Sequence, residues 1–527
     1  MGCRLRVLLV VLFCGLIAPG QARAASVLER GAAITDPLAL RELDRGRFGL
    51  GRMMAPDRPA DAALNDSDLF ALPALAPLRK ALDEEFERYV EKHKAASADS
   101  SIGVGDKFDV QLFDRAKLYS ATTRFVLAGI VNRMDRAYLA KENCGEIRLI
   151  YRLVEIDAAP VGDHLISPRL PTTLNIVLKA RGDHATTGDH AKDGKEAALT
   201  CAEIARRWLA AGDWTLTGTA LAERLTSDGG PLDLIAPADI DRLETNLQIA
   251  HTSNSAKGDF RADYLLKVFD YNEATRAFEE ATLENQIDRE RILADEKLKR
   301  EFKAWLLEQA HFAELDRGTI VIPKEFLARR AIAPTPVGFS PSTLQPAFGL
   351  VEGEGSAAAV FATGEVVAAL EKAASRGANL KNIRSVAGFE RRLNDITCAG
   401  CHQSRGIGGF HFPGVDWMAA NPSNSTVVPG SPHFFGDQIR RRNILTSIRD
   451  GGSVDYSRGF SSRPQLRGSR ELAGTEYEDG WGAPCYSPGV NATESDRSFK
   501  SWTCAKGLAC QVMSDVSRMG MCFVGSR

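Results

Sequence analysis

The five residues Cys398-Ala-Gly-Cys401-His402 constrain this chain more than any other stretch of its sequence. Cys-x-x-Cys-His is the attachment signature of c-type haem. Two thiols three positions apart on one turn of a helix reach the two vinyl groups at one edge of the porphyrin, and the following imidazole points at the iron. We therefore expect one covalently attached haem c, with Cys398 and Cys401 as attachment residues and His402 as the proximal iron ligand.

The motif also allows three other interpretations. Cys398 and Cys401 can form a local disulfide beside a bystander histidine. A zinc site needs a fourth ligand, and the nearest partners are not a second Cys-x-x-Cys. Thiol–disulfide exchange would place the motif at a helix start after a strand, in a thioredoxin-like unit that the sequence does not indicate.

The sequence does not select the distal iron ligand. A chain leaving His402 needs about 25 Å to pass round the porphyrin edge, at about 3.3 Å per extended residue. His411, nine positions later, just reaches if the loop is nearly straight, whereas Met418 and His433, at 16 and 31 positions, have slack. Methionine would favour a higher potential than histidine. A five-coordinate iron that binds a small molecule is a further alternative.

The beginning of the chain predicts export. Arg4 and Arg6 precede an apolar run at residues 7–18, and Ala22-Arg23-Ala24 follows. This is the pattern of a secretory signal peptide, and the run is too short for a membrane span. We expect residues 1–24 to be removed, leaving a periplasmic or secreted protein with no membrane span.

Eight cysteines remain after that cleavage, and an oxidising compartment favours their pairing. Two belong to the haem motif, and six are predicted to form three disulfides: Cys144, Cys201, Cys485, Cys504, Cys510 and Cys522. Cys144 precedes a predicted strand and Cys201 starts a predicted helix, so a bond between them would stabilise one domain. The four cysteines of the tail allow three connectivities, among which the sequence does not choose.

Charge and motifs exclude some classes of function. Positive and negative side chains nearly cancel, at 66 against 68, and no long basic run predicts a nucleic-acid partner. We find no Gly-x-Ser-x-Gly, no His-Glu-x-x-His and no phosphate-binding glycine loop, so a hydrolase is poorly supported. The sequence leaves open whether the protein is an enzyme.

Periodicity predicts a multidomain α+β protein. In the strand at 146–154, alternation places Ile147, Leu149, Tyr151 and Leu153 on one face. The longest helical pattern is 283–310, and 320–322 suggests a short strand. The predicted units are a signal peptide (1–24), an N-terminal helical segment (25–105), a mixed-sheet α+β domain (106–272), a mainly helical segment (273–380), a cytochrome-c-like segment (381–450) and a turn-rich, disulfide-rich tail (451–527).

Three consecutive arginines, Arg440, Arg441 and Arg442, lie on a predicted helix at 437–448. Such a cluster can hold a propionate or a phosphate. A solvated helix face is the interpretation that we prefer from the sequence.

The block at 398–414, with its Cys-Ala-Gly-Cys-His-Gln-Ser and Gly-Phe-His-Phe, resembles a block in exported proteobacterial proteins of uncharacterised function that carry one Cys-x-x-Cys-His. Four further segments are similar to the same group: 131–136, 144–146, 170–175 and 283–286. The resemblance implies no known reaction. The chain resembles the c-type cytochromes only through the five-residue motif and lacks a clear methionine-bearing C-terminal helix, so ordinary electron-shuttle behaviour is not implied.

Two hypotheses follow from these patterns. The first is an exported protein with one c-type haem and a redox or haem-based ligand-binding role, whose large remainder docks a redox partner protein or gates the iron. The alternative is a disulfide-stapled binding or structural protein of the cell envelope, in which Cys398 and Cys401 form a local disulfide. The sequence gives no oligomeric state.

Overall fold

The computed structural model of the protein describes residues 32–58, 66–96, 101–105, 107–139, 143–155, 169–181, 200–233, 235–251, 261–335, 359–381, 383–400, 432–458, 484–486, 503–504, 508–511 and 519–524. These residues form both helices and a largely antiparallel sheet, which confirms the α+β class. None of the described helices is long and apolar enough to cross a membrane. The signal peptide predicted at 1–24 lies outside the described residues.

Twelve α-helices and thirteen strands lie within those ranges. The helices are α1 (Pro37–Arg45), α2 (Leu50–Met54), α3 (Asp66–Leu69), α4 (Ala76–Ala96), α5 (Cys201–Ala211), α6 (Gly218–Thr226), α7 (Arg289–Ala294), α8 (Glu296–Leu306), α9 (Gln309–Arg317), α10 (Thr363–Ser375), α11 (Val386–Asp395) and α12 (Pro432–Arg449). The strands are β1 (Ala33–Ile34), β2 (Ile102–Val104), β3 (Val110–Leu112), β4 (Thr123–Arg133), β5 (Glu146–Glu155), β6 (Arg169–Lys179), β7 (Ile240–His251), β8 (Arg261–Asn272), β9 (Ala277–Ala281), β10 (Ala331–Thr335), β11 (Pro484–Tyr486), β12 (Leu508–Gln511) and β13 (Met519–Val524).

Ten strands form one sheet whose centre runs β4-β5-β6-β7-β8. Strand β1 pairs with β4 at one edge, and β9 and β10 both pair with β8 at the other. The described pairs are antiparallel except β2 with β3, so the predicted mixed sheet is antiparallel in all but one pair. The sheet also draws on β1, β2, β9 and β10, which lie beyond the predicted 106–272.

One face of the sheet carries the main hydrophobic core. The alternation predicted in β5 is confirmed, because Ile147, Leu149, Tyr151 and Leu153 are all at most 2% exposed. Helices α1, α4, α5 and α6 cover this face, and their apolar side chains belong to the same buried cluster. The N-terminal helices therefore pack on the sheet.

The opposite face of the sheet is charged and buried. Arg148 and Arg152 alternate with the core residues of β5, yet they are only 5% and 6% exposed. A small apolar cluster joins this face to the helical region that follows the sheet, through Leu266 of β8, Leu283 and Ala399. The helical region thus lies over the charged face.

That helical region has its own core, built largely from aromatic rings. Phe312 of α9 stacks on Phe389 of α11 with ring centroids 5.3 Å apart. Phe361 meets Phe389 edge-on at 5.6 Å. These contacts pack α9 and the segment just before α10 against α11, which leads directly into the Cys-x-x-Cys-His motif.

Two sequence predictions about this region are wrong. The single helix predicted at 283–310 is a loop followed by three short helices. Two aspartates interrupt the predicted helix because each carboxylate caps the start of a new one. Asp288 accepts the backbone N–H of Arg291 and begins α7. Asp295 accepts the backbone N–H of Leu298 and begins α8. Residues 320–322 are not a strand. Ile320 and Ile322 pack into the helical core, whereas Val321 between them is 48% exposed.

The predicted disulfide between Cys144 and Cys201 is present, with the two Cα atoms 5.3 Å apart. It joins the segment before β5 to the first residue of α5. Replacing both cysteines by serine should lower the free energy of unfolding by about 2–4 kcal/mol, because the bond restricts the unfolded chain. Denaturant unfolding of the double variant measures this change. An unchanged denaturation midpoint would show that the bond is dispensable.

The tail forms a small three-stranded antiparallel sheet in the order β11-β13-β12. Cys485 lies in β11, and Cys510 of β12 stands opposite Cys522 of β13. Both Cys504 and Cys510 are disulfide-bonded. The complete connectivity of the tail stays a prediction.

Candidate functional site

The first part of the Cys-x-x-Cys-His motif is a capped helical turn. Residues 398–400 are helical, and Thr397 occupies the capping position just before them. The Thr397 hydroxyl accepts the Gly400 N–H at 2.8 Å and donates to the Asn394 carbonyl at 2.7 Å. A side-chain oxygen in this position satisfies a backbone donor that the turn would otherwise leave open. Cys398 is therefore presented as the first residue of a fixed turn.

Gly400 is required by the tightness of this turn. A Cβ atom at this position would lie 1.8 Å from the carbonyl oxygen of Asn394 and 2.9 Å from Oγ1 of Thr397. Real Cβ atoms do not approach backbone that closely, so any other residue forces the chain to move. The middle of the motif is thus fitted to the end of α11.

The loop at 284–286 contacts the turn and holds it in place. The Gln286 side-chain oxygen accepts the Ala399 N–H at 3.0 Å, and Sγ of Cys398 lies 3.6 Å from the Glu284 carbonyl oxygen. Asn285 between them has a left-handed backbone, with φ of 54°. Its side chain bonds the backbone of Ile320 and Ile322, which fixes the loop to the helical core.

Cys398, which is half-buried, lines a cavity of about 290 Å³ between the motif and the charged face of the sheet. This volume is close to the lower end for small-molecule sites, roughly 300–1,000 Å³. The apolar lining includes Leu139, Leu266, Val268, Leu283, Val321 and Ile322. The polar lining includes Arg133, Arg136, Arg148, Asn175, Arg242, Glu244, Asn246, Glu284, Asp395 and Arg458.

Three arginines and three glutamates form a continuous network of ion pairs, and all of them except Glu146 line the cavity: Arg136, Arg148, Arg242, Glu146, Glu244 and Glu284. Glu146 is its centre, since it accepts from Arg136 at 3.1 Å, Arg148 at 2.8 Å and Arg242 at 2.9 Å. Arg136 also pairs with Glu284, in the loop that supports the motif. The network therefore ties the sheet to the segment that carries Cys398.

The protonation of this network follows from its charges. Burial alone raises the pKa of the Glu146 carboxyl, but the guanidinium groups of Arg136 and Arg242 outweigh burial and hold the pKa well below its usual range. The pKa of Glu244 is lowered in the same way, against burial, by Arg148 and Arg242. Burial lowers the pKa of Arg136 to about 10, which leaves it charged at neutral pH.

A second charged cluster connects helix α12 to the sheet. Asp135 pairs with Arg133 at 2.8 Å and with Arg440 at 2.6 Å. Arg441 is only 2% exposed. The preferred sequence interpretation of the three arginines as a solvated helix face is therefore wrong for Arg440 and Arg441, because α12 packs these side chains inward.

Arg458 reaches the cavity from a segment that Arg392 holds in place. Arg392 is fully buried and donates to the carbonyls of Leu315 at 2.8 Å, Asp316 at 2.7 Å and Arg458. The Arg458 N–H in turn donates to the Arg317 carbonyl at 2.7 Å. These bonds fix the backbone of Arg458, so its side chain enters the cavity from a defined position.

The predicted haem residues are only partly described. Cys398 lines the cavity, whereas Cys401, His402, His411 and Met418 lie outside the described residues. His433 lies in α12, and its side chain is outside the described part. In the portion of the chain that the structure covers, no group of three or more His, Cys, Asp and Glu side chains is placed to hold a metal ion.

The structure brings together segments that the sequence left apart. The cavity is lined from 131–136, 170–175, 283–286 and the start of 398–414, and Glu146 of 144–146 completes its charged wall. The sequence analysis did not predict that Arg148 of β5 and Arg242 of β7 line this cavity. Their alternation with core residues was the available signal.

Comparisons of the chain with protein-family models, with curated proteins and with solved structures find no match.

Proposed function

We propose that the protein is exported and carries one haem c, attached through Cys398 and Cys401 with His402 as the proximal ligand, in a redox or haem-based ligand-binding role. The observation that carries this proposal is the capped turn, which presents Cys398 at a cavity with an apolar wall and a charged wall. A haem has a flat apolar ring, which can pack on the apolar wall, and two anionic propionates, which an arginine can bind.

Several described residues beside Cys398 would suit part of such a group. Leu266, Val268 and Leu283 offer apolar surface beside Cys398, and Arg458 offers a cation. When bound, the haem would supply an iron that exchanges an electron or binds a small ligand. The chain itself would hold the attachment turn through Thr397 and keep one side of the site dry through the packed charged network.

Coexpression of the full chain with a haem-attachment system in a bacterial periplasm tests the proposal. A haem-stained denaturing gel should show covalent haem in the wild-type protein and none in Cys398→Ala or Cys401→Ala. The double variant Cys144→Ala/Cys201→Ala is the matched control: it removes two cysteines that do not line the cavity and should retain the stain.

Colourless wild-type protein under conditions that load a reference c-type cytochrome would refute the proposal. Thiol counting and peptide mapping then test the alternative hypothesis, in which Cys398 and Cys401 form a local disulfide. Four disulfides, one of them between Cys398 and Cys401, would support a disulfide-stapled protein of the cell envelope.

A further inference from the structure

Two asparagine side chains on the cavity wall have oxygen atoms to which no described residue donates a hydrogen bond. Asn175 of β6 is 3% exposed, and among the described residues nothing donates a hydrogen bond to its Oδ1. Within the described part of the chain, Oδ1 of Asn246 on the neighbouring strand β7 also has no donor. A buried polar atom without a partner costs roughly 1–3 kcal/mol. Both residues line the cavity, so a bound molecule with a hydrogen-bond donor could remove that cost.

Arg458 offers the complementary unsatisfied donor. Its Nε is buried without a hydrogen-bond partner, and no described acidic side chain forms an ion pair with it. Its guanidinium lies over the ring of Tyr138, 5.7 Å from the centroid, and its Nη2 donates to the Tyr138 hydroxyl. Arg136 and Arg242 on the same wall are already paired with glutamates. Among the described arginines that line the cavity, Arg458 is thus the one that no acidic side chain pairs, and it can take an anion.

We propose that the cavity binds a small hydroxycarboxylate, with Arg458 taking the carboxylate and Asn175 or Asn246 accepting from the hydroxyl. An arginine fork matches a carboxylate in shape and charge. The site shares Arg458, Leu266 and Leu283 with the cavity proposed above for the haem, but it uses none of the iron ligands, so the two proposals are tested against each other below. The volume of about 290 Å³ and the apolar side chains of Leu266 and Leu283 favour a compact acid.

Binding of L-malate and of succinate to the mature protein tests this inference, because the two acids differ only by one hydroxyl. Calorimetric titration should show malate binding about tenfold more tightly, the worth of one hydrogen bond to a buried acceptor. Asn175→Leu should bring the two affinities together and, by removing an unsatisfied polar group, leave the melting temperature unchanged or raised. Asn246→Leu is the second variant if Asn175→Leu does not fold.

Arg458→Gln should weaken both acids by about tenfold or more, since a charge-assisted bond is lost. Arg449→Gln is its matched control, because Arg449 pairs only with the exposed Asp450 at the end of α12 and lies outside the cavity. That variant should bind both acids as the wild type does. Equal weakening by both substitutions would show a general charge effect and overturn the inference.

The source of the carboxylate is settled by titrating protein with and without attached haem. Malate binding to both forms supports a diffusible ligand. Binding only to the haem-free form would assign Arg458 to a haem propionate and overturn the inference, as would no binding to either form. Because the haem-free form is tested directly, failure of the haem proposal and failure of this one give different results.

Discussion

Replacing Gly400 by alanine should reduce covalent haem attachment at least tenfold and destabilise the segment that bears the motif. The added methyl would stand 1.8 Å from the Asn394 carbonyl oxygen, so the turn must open or α11 must shift. Either movement breaks the hydrogen bond that the Gly400 N–H donates to the Thr397 hydroxyl, and it displaces Cys398. Overpacking of this kind costs typically about 1–3 kcal/mol. Haem content per protein and the melting temperature measure the two effects.

Gly364→Ala is the matched control for that experiment. Gly364 is also in a helix of the same region, but a Cβ there meets no atom within 4 Å. Alanine is the better helix former, so this variant should be as stable as the wild type or slightly more stable. Full haem content in Gly400→Ala would mean that the turn observed at 398–400 is not the conformation in which Cys398 is attached.

The sequence predicted strand β5 because alternation is a local signal. Alternation in β5 identified Ile147 and Tyr151 as one face, and that face is the core. The same alternation places Arg148 on the opposite face and does not say what covers that face. Its burial depends on the helical region beyond residue 282 folding back over the sheet, and a local pattern carries no information on such a distant contact.

Of the candidate site, the sequence indicated the cysteine motif but not the residues that support it. Spacing alone identified Cys398 as a candidate, and a Thr just before the motif is a recognisable cap. The support from Gln286 and the left-handed Asn285 could not be predicted, because the helical pattern at 283–310 concealed a loop. The pairing of Arg136 with Glu284 joins residues 148 positions apart and has no local signature.

Replacing Glu146 by glutamine should lower the free energy of unfolding by about 3–5 kcal/mol, because it leaves a buried arginine cluster short of one charge. The effect should depend on pH. The folded pKa of Glu146 lies well below its ordinary value of 4.5, so ionised Glu146 stabilises the fold above about pH 4.5. This contribution is lost as the pH falls from 4.5 through the folded pKa. The difference between wild type and variant in denaturant unfolding should therefore be constant at neutral pH and shrink below pH 4.5.

Glu203→Gln is the matched control, because it also removes a glutamate that pairs with arginines, but on the solvent side of the protein. Hydrogen bonds from Arg206 and Arg207 lower the pKa of Glu203 to about 2, yet the carboxylate lies on the solvent side of α5. Solvent screens such a pair, so its loss should cost less than about 1 kcal/mol. If Glu146→Gln costs no more than Glu203→Gln, the network does not tie the sheet to the motif. A large difference between the two would show that the charged face acts as structural support for the loop beneath Cys398.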